Sequence, residues 1–245
     1  MNKKVAIITG ASDGIGKSIA VGLSNDNYHV ILIARSQKNL QNVKNEIEKN
    51  GHTADLYPLD VANADSVKTT IDDIVTRFHK IDVLINNAGI LKMGSSEMAS
   101  TDIDEIIKVN LLGAIYVGNC VAEQMKKQKS GYIMNISSMA GKRGLAPNGI
   151  YSASKFGVTG YSESIFKELL SYGINVTAIC PSTVATSMTK SFAIDQRLMI
   201  HPEDILKTVR YLLSLGENAV VPEIMVQCRT FLVKEAQALR KLLEE

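Results

Sequence analysis

The chain of 245 residues is long enough for one large α/β domain or two small ones. Its 27 basic residues nearly balance its 25 acidic ones, which gives no indication of a nucleic-acid or membrane surface. Three widely spaced cysteines, Cys120, Cys180 and Cys228, argue against a disulfide framework and predict reduced thiols in the core of a cytoplasmic protein. The apolar start of the chain is too short for a signal peptide, and no apolar run approaches the ~18 residues of a membrane span.

Short apolar runs alternate with helical patterns along the chain. We predict seven strands, over residues 5–8, 29–34, 53–59, 81–85, 131–136, 175–179 and 220–226. We predict helices over residues 15–25, 38–50, 62–78, 101–127, 151–172, 201–215 and 230–245. This alternation is typical of an α/β fold with a doubly wound parallel sheet, a Rossmann fold with helices on both faces. Ligands of such sheets bind at the carboxyl ends of the strands, so the residues that follow each strand are the first candidates for function.

We predict a single domain over residues 1–229, because no linker, repeat or low-complexity segment divides the chain. The tail over 230–245 predicts an amphipathic helix, with an apolar stripe made of Leu232, Ala236, Leu239 and Leu243. This stripe could pack on the chain's own domain or on a partner subunit.

A glycine-rich turn follows the first strand. Residues 9–16 read Thr-Gly-Ala-Ser-Asp-Gly-Ile-Gly and lead directly into a helix. Such a turn brings backbone N–H groups close to a phosphate, and the helix N-terminus favours that anion. The glycine spacing differs from the common G-x-G-x-x-G fingerprint and from the P-loop. A tight turn without a ligand is the alternative, but the strand–turn–helix context favours a dinucleotide.

The second strand ends in Ala34-Arg35-Ser36. An NAD-selective site would place Asp or Glu here to hold a ribose hydroxyl. Arg35 instead favours the additional phosphate of NADP, although it could be an ordinary surface charge. Asp13, in the glycine-rich turn, disfavours a further phosphate nearby, so the preference for NADP could be incomplete.

Polar residues also follow the third, fourth and sixth strands. Asp60 could accept a hydrogen bond from an adenine amino group, or it could cap the next helix. Residues 86–89, Asn-Asn-Ala-Gly, suit close packing against a cofactor, or they could be turn chemistry. Residues 180–186 contain hydroxyls that could reach an amide at the ring-bearing end of a cofactor.

Residues 131–157 join a strand, a serine pair and the start of a helix. Tyr151 and Lys155 are four residues apart and share one helix face. Ionising a phenol at pH 7 costs about 4 kcal/mol. A cation ~4 Å away, at an effective dielectric near ~20, is worth about the same. Lys155 could therefore lower the pKa of Tyr151 enough for proton transfer, with Ser138 offering a hydroxyl to the reacting oxygen. An ordinary surface pair is the alternative.

Asn110 interrupts the apolar pattern of the longest predicted helix. A buried amide must find a partner, so Asn110 could bond a local carbonyl, or it could bend the helix and hold a water.

Together these motifs resemble those of the short-chain dehydrogenase/reductases over residues 3–226, with members similar to 3-oxoacyl-carrier-protein reductases as the nearest likeness. The resemblance implies that Tyr151 is the general acid/base and that Lys155 lowers its pKa and holds ribose hydroxyls. It implies Ser138, rather than Ser137, as the residue that positions the carbonyl, and Asn110 as the holder of a proton-relaying water. The cofactor-binding residues expected from the strand ends and the resemblance are Gly10, Ser12, Asp13, Gly14, Ile15, Gly16, Arg35, Asp60, Val61, Asn87, Ala88, Gly89, Tyr151, Lys155, Pro181, Thr183, Val184 and Thr186, the last of these contacting the nicotinamide carboxamide.

Two departures from the family's pattern concern the second half of the chain. Ser182 follows Pro181 where the family usually has Gly, and the family's Asp-Gly-Gly ending is replaced by residues 222–227 and the helical tail. Because substrate and subunit contacts of the family involve that end, the substrate and the oligomer stay open.

The residues and the resemblance together predict an NADP(H)-dependent oxidoreductase that interconverts a carbonyl and a secondary alcohol and needs no metal. The resemblance also implies a homodimer or homotetramer. An NAD-dependent alcohol dehydrogenase and a dinucleotide-binding sensor without turnover are the alternatives. Four apolar residues before His201 predict a partly hydrophobic substrate: Met188, Phe192, Leu198 and Met199.

Overall fold

Seven parallel strands form one sheet, as the sequence predicts. They are β1 (Lys4–Thr9), β2 (Tyr28–Ala34), β3 (Ala54–Pro58), β4 (Val83–Asn86), β5 (Gly131–Ile136), β6 (Ile174–Pro181) and β7 (Glu223–Val226), in the order β3-β2-β1-β4-β5-β6-β7. The computed structural model describes the backbone of residues 3–244 and the side chains in that range except those at 238, 239 and 242–244. The strand order reverses between β1 and β4, which places the ligand crevice of a doubly wound sheet at their carboxyl ends.

Helices cover both faces of the sheet. They are α1 (Gly14–Asn25), α2 (Gln37–Lys49), α3 (Ala64–Phe78), α4 (Ser100–Ile107), α5 (Gly113–Gln128), α6 (Gly149–Leu169), α7 (Pro202–Ser214) and α8 (Arg229–Glu244). One apolar cluster packs α1, α2 and α7 against the sheet through residues such as Leu23 and Val209. A second cluster packs α3, α5 and α6 on the opposite face through residues such as Ile74 and Val121. The two clusters make the fold doubly wound.

Among the predicted boundaries that differ from the structure, two have identifiable reasons. The third helix begins at Ala64 rather than at residue 62, because Asn63 Oδ1 accepts a hydrogen bond from the Ser66 N–H at 2.9 Å and so fixes the helix start two residues later. The seventh strand begins at Glu223 rather than at Val220, which is 42% exposed. Pro222 intervenes and has no N–H to donate to a strand ladder.

The long helix predicted over 101–127 is interrupted. A π-helical turn, Lys108–Leu112, separates α4 from α5, and the Gly113 N–H bonds to the Lys108 carbonyl five residues back. By length and composition, the whole segment Ser100–Gln128 would be able to cross a membrane. In this fold it is a core helix, since Val117, Val121 and Met125 are fully buried.

The tail helix α8 contacts the rest of its own chain at its first turn. Phe231 packs against the apolar cluster that holds α7, and the Thr230 hydroxyl donates to the Leu198 carbonyl at 2.8 Å. Leu232, on the predicted apolar stripe, is 40% exposed, so this part of the stripe does not pack on the domain. The predicted packing of Leu239 and Leu243 falls outside the described side chains.

The cysteine prediction holds for two of the three thiols. All three are free, and Cys180 and Cys228 are buried. Cys120 is only half-buried.

Candidate active site

The glycine-rich turn after β1 is tied to the segment after β4. The Asn87 side-chain amide donates to the Thr9 carbonyl at 3.0 Å, and the backbone N–H groups of Asn87 and Ala88 both donate to the Thr9 hydroxyl. Gly10 has φ +64°, and a Cβ there would lie 2.8 Å from Asn87 Nδ2. Glycine is therefore required at position 10 by conformation and by space.

A cleft of about 370 Å³ opens between this turn and the ends of β2, β3 and β4. Twelve of the residues predicted to bind a cofactor line it: Gly10, Ser12, Asp13, Gly14, Ile15, Arg35, Asp60, Val61, Asn87, Ala88, Gly89 and Thr186. Gly16 lies beneath the turn, where a Cβ would approach the Gly10 carbonyl oxygen to 2.3 Å. The cleft also contains residues that the sequence reasoning did not assign, among them Ser36, Asn39 and Ser187.

Arg35 faces the cleft from the end of β2 and is 62% exposed. Its guanidinium lies 3.9 Å from the carboxylate of Glu105 on α4. The same carboxylate accepts a hydrogen bond from Lys92 at 2.5 Å. Ser36 caps α2 by accepting from the Asn39 N–H at 3.3 Å. Its place directly before a helix is the signal that could have drawn attention to it.

The two acidic residues of the cleft each have a local partner. Asp60 Oδ1 accepts from the Ala62 N–H at 3.0 Å, so Asp60 shapes the turn before α3 although Asn63 caps the helix. Asp13 accepts from the Ser187 hydroxyl at 2.5 Å and links the glycine-rich turn to the loop after β6. Both carboxylates are exposed.

A smaller cavity of about 160 Å³ adjoins the cleft and contains the remaining predicted residues except Asn110 and Gly16. Ser138, Tyr151 and Lys155 line it together with Pro181, Thr183 and Val184. The two cavities have five wall residues in common: Ile15, Asn87, Gly89, Thr186 and Met188. The site is thus one continuous depression along the carboxyl ends of the strands.

The two serines after β5 point in different directions. The Ser137 hydroxyl is buried, donates to the Lys155 carbonyl at 3.0 Å and shares a 2.8 Å hydrogen bond with Thr159 on α6. Ser138 is only partly buried, and its hydroxyl accepts from the Ala140 N–H at 3.0 Å. Both serines line the cavity, but Ser137 anchors α6 to β5, while Ser138 is more exposed and lies next to Tyr151.

Tyr151 and Lys155 lie side by side in the first turns of α6, with the ammonium 5.8 Å from the centre of the Tyr151 ring. Burial raises the pKa of Tyr151, and hydrogen bonding to Ser138 only partly opposes this. That Lys155 lowers this pKa stays a prediction. The Lys155 ammonium donates to the Ile136 carbonyl at 2.9 Å.

Burial also acts on Lys155, which is 5% exposed and has no carboxylate against it among the residues described. Desolvation lowers the pKa of Lys155 to about 8. Gly89 comes close to this ammonium, since a Cβ at that position would be 3.6 Å from Lys155 Nζ.

Asn110 lies in the π-helical turn and is 1% exposed. Its carboxamide oxygen accepts from the Ile90 N–H at 2.7 Å, and its amide donates to the Ile90 carbonyl at 2.9 Å and to the Ser154 hydroxyl at 3.1 Å. The bond to a local carbonyl that the sequence allowed is not formed, since Ile90 precedes Asn110 by 20 residues, and the helix changes its winding at Asn110. Asn110 thus fixes the segment after β4 against α6.

Comparison with known proteins identifies the family. The model of the short chain dehydrogenases matches residues 4–197, which is most of the chain. The chain belongs to the short-chain dehydrogenase family. It is therefore a member of an oxidoreductase family, and its fold and motifs agree with that membership.

One relative and two solved structures show which proteins this short-chain dehydrogenase resembles. The 3-oxoacyl-[acyl-carrier-protein] reductase of Synechocystis is 38% identical over 221 residues, 86% of this chain and 90% of the relative. The structure of a betaketoacyl-[ACP] reductase from Bacteroides thetaiotaomicron has 38% identity and a TM-score of 0.84, covering 95% of this chain and 100% of that one. The structure of a variant of the actinorhodin polyketide ketoreductase with NADPH has 30% identity and a TM-score of 0.84, covering 92% and 95%.

Proposed function

We propose that this short-chain dehydrogenase is an NADP(H)-dependent enzyme that interconverts a carbonyl and a secondary alcohol. The observation that carries the proposal is the placement of Ser138, Tyr151 and Lys155 in a small cavity that shares walls with a long cleft. A ligand that fills the cleft and projects past Gly89 would reach all three side chains.

The residues of the cleft fit a nicotinamide dinucleotide. The start of α1 opens on the cleft through Gly14 and Ile15, where N–H groups and the helix dipole suit a phosphate. Gly10 and Gly89 carry no side chain that would narrow the passage. At the far end, Arg35 offers a guanidinium next to Ser36 and Asn39, a donor set suited to the additional phosphate of NADPH.

When bound, NADPH supplies hydride to the carbonyl carbon. Tyr151 donates its phenolic proton to the carbonyl oxygen, which becomes a hydroxyl. The two electrons of the new C–H bond come from the hydride. Ser138 hydrogen-bonds the same oxygen and holds it towards Tyr151. One N–H of the Lys155 ammonium donates to the Ile136 carbonyl. The other two can donate to ribose hydroxyls and return a proton to Tyr151.

The raised pKa of Tyr151 suits the direction of reduction, because a neutral phenol is the proton donor that this direction requires. The smaller cavity also has an apolar wall, which includes Leu91, Met139, Leu145, Met188 and Phe192. Leu198, which was expected to contribute, is 55% exposed, and Met199 is buried elsewhere. We infer a carbonyl substrate with an apolar portion.

The test is oxidation of NADPH by the purified protein with a panel of ketones, aldehydes and keto esters, followed spectroscopically. We expect turnover of at least one apolar ketone. Arg35→Ala should weaken the binding of NADPH about tenfold or more and leave the binding of NADH nearly unchanged, because Arg35 contacts only the additional phosphate. Lys38→Ala, nearby on the exposed side of α2, is the charge-matched control. Equal effects of Arg35→Ala on both cofactors would contradict the choice of NADP(H).

We also propose that the protein is a homo-oligomer. The outer side of α6 carries Phe156, which is 46% exposed, and Gly160, where a Cβ would meet no other atom within 4 Å. A large aromatic side chain beside bare backbone suits helix packing between subunits. Measurement of mass in solution for the full chain and for Phe156→Glu tests this, since the charged variant should shift the mass towards the monomer.

A further inference from the structure

Asn148 lies where the loop over residues 142–147 enters α6. It occupies the N-cap position of that helix, yet its side chain makes no capping hydrogen bond. Its Oδ1 is buried and has no hydrogen-bond partner among the residues described. A buried amide oxygen left in this state costs about 1–3 kcal/mol of stability, so its presence calls for a reason other than folding.

The backbone around Asn148 is firmly held while the carboxamide is not. The Asn148 N–H donates to the Leu145 carbonyl at 2.6 Å, and the Asn148 carbonyl accepts from the Ser152 N–H at 2.7 Å. The next N–H, of Gly149, donates to the Ser95 hydroxyl at 2.8 Å. A change of rotamer about Cα–Cβ therefore moves the carboxamide without breaking a hydrogen bond to its oxygen.

Asn148 lines the same small cavity as Ser138 and Tyr151. It precedes Tyr151 by three residues, and side chains at this helical spacing have Cβ atoms about 5–6 Å apart. Leu145 and Met139 line the same cavity and make part of its wall apolar. A polar group of the substrate that meets this wall therefore finds its partner in Asn148.

We propose that Asn148 determines specificity by accepting a hydrogen bond from a hydroxyl or amide N–H located two or three bonds from the reacting carbonyl. This inference rests on the proposed function, because it needs a carbonyl held by Ser138 and Tyr151. The substrate class is then a carbonyl compound with an apolar portion and a nearby hydrogen-bond donor. The substrate donor satisfies the Asn148 oxygen, which has no hydrogen-bond partner among the residues described.

The test uses two ketones of equal size with NADPH: 4-hydroxybutan-2-one and pentan-2-one, which differ by a hydroxyl in place of a methyl group. The wild-type protein should prefer the hydroxyketone. Asn148→Leu should lower kcat/KM for the hydroxyketone about tenfold and change that for pentan-2-one less than about threefold, because only one substrate loses a hydrogen bond. Asn148→Gln should restore part of the preference.

The thermal stability of the same variants separates this role from a structural one. Asn148→Leu removes the unpaired oxygen and should raise Tm, whereas loss of a structural cap would lower Tm and reduce both activities together. Ser152→Ala is the matched control, since the Ser152 hydroxyl is also buried without a partner in the described part of the chain but does not line the cavity. It should raise Tm and leave the ratio of the two activities unchanged.

An unchanged activity ratio in Asn148→Leu, or a lower Tm with equal loss of both activities, overturns the inference. If the wild-type protein reduces neither ketone, the proposed function fails separately. Binding of 4-hydroxybutan-2-one to the NADPH-loaded protein, followed by the shift in Tm, then decides about Asn148. A shift in the wild-type protein that Asn148→Leu abolishes supports the inference, and equal or absent shifts in both proteins refute it.

Discussion

The ammonium of Lys155 donates a hydrogen bond to the carbonyl of Ile136 across 2.9 Å. The bond joins α6, which carries Tyr151, to the last residue of β5, two residues before Ser138. A carbonyl is a dipole and offsets only part of the cost of burying a charge. The position of the proposed catalytic groups is thus maintained by a cation that is itself partly destabilised.

We expect this cation to give stability a distinct dependence on pH. Burial lowers the pKa of Lys155 from 10.5 to about 8, so the unfolded chain binds the additional proton between these two values. Stability therefore rises with pH across that window, as the folded protein becomes free of the buried charge. The difference between the wild-type protein and Lys155→Met should change by up to roughly 3 kcal/mol over the window.

Urea unfolding at about pH 7 and about pH 10 measures this change. Lys167→Met, which removes a lysine that is 69% exposed on the same helix, is the control and should show no comparable trend. A parallel pH dependence in the wild-type protein and Lys155→Met would show that the ammonium is not destabilised by burial.

Tyr151→Phe should lower kcat for ketone reduction about 10²- to 10⁴-fold, because it removes the proton donor and little else. Affinity for NADPH should change little. Tyr161→Phe is the matched control: its hydroxyl donates to Asn119 at 2.9 Å and lies outside both cavities, so activity should be retained. Full activity of Tyr151→Phe would remove Tyr151 from the mechanism.

The serine pair predicts opposite effects of two similar substitutions. Ser138→Ala should lower kcat at least tenfold with little loss of stability, since Ser138 is only partly buried. Ser137→Ala should lower the free energy of unfolding by about 1 kcal/mol or more, because its buried hydroxyl bonds both Lys155 and Thr159. Steady-state kinetics and chemical unfolding of both variants measure this contrast, and equal losses of kcat would refute the assignment.

We expect Glu105 to compete with the additional phosphate of NADPH for Arg35. Its carboxylate lies 3.9 Å from the guanidinium and is also held by Lys92. Glu105→Gln should therefore strengthen NADPH binding a few-fold and leave NADH binding unchanged, because Arg35 then gives up less attraction to residue 105 when it binds the phosphate. Fluorescence titration with both cofactors measures this. Asp104→Asn, which neutralises a neighbouring carboxylate that bonds Lys108, controls for the general change in charge. A similar gain in both variants would point to net charge rather than to this contact.

The sequence predicted the elements that depend on continuous apolar runs, including all seven strands and both faces of the sheet. It could not predict how Asn110 would be accommodated, because a π-helical turn and an ordinary helix have the same local composition. It also could not predict that burial raises the pKa of Tyr151, since the extent of burial depends on how α6 packs. Asn148 was missed because its only unusual property, an oxygen without a partner, exists only in three dimensions.

The wall shared by the two cavities has a kinetic consequence. Gly89 and Thr186 line both the cleft and the smaller cavity. A dinucleotide bound in the cleft would therefore complete the surface on which the carbonyl substrate rests. We therefore expect compulsory-order addition, with the cofactor entering first and leaving last. Product-inhibition patterns would then show the oxidised cofactor competing with NADPH, and the alcohol competing with neither reactant.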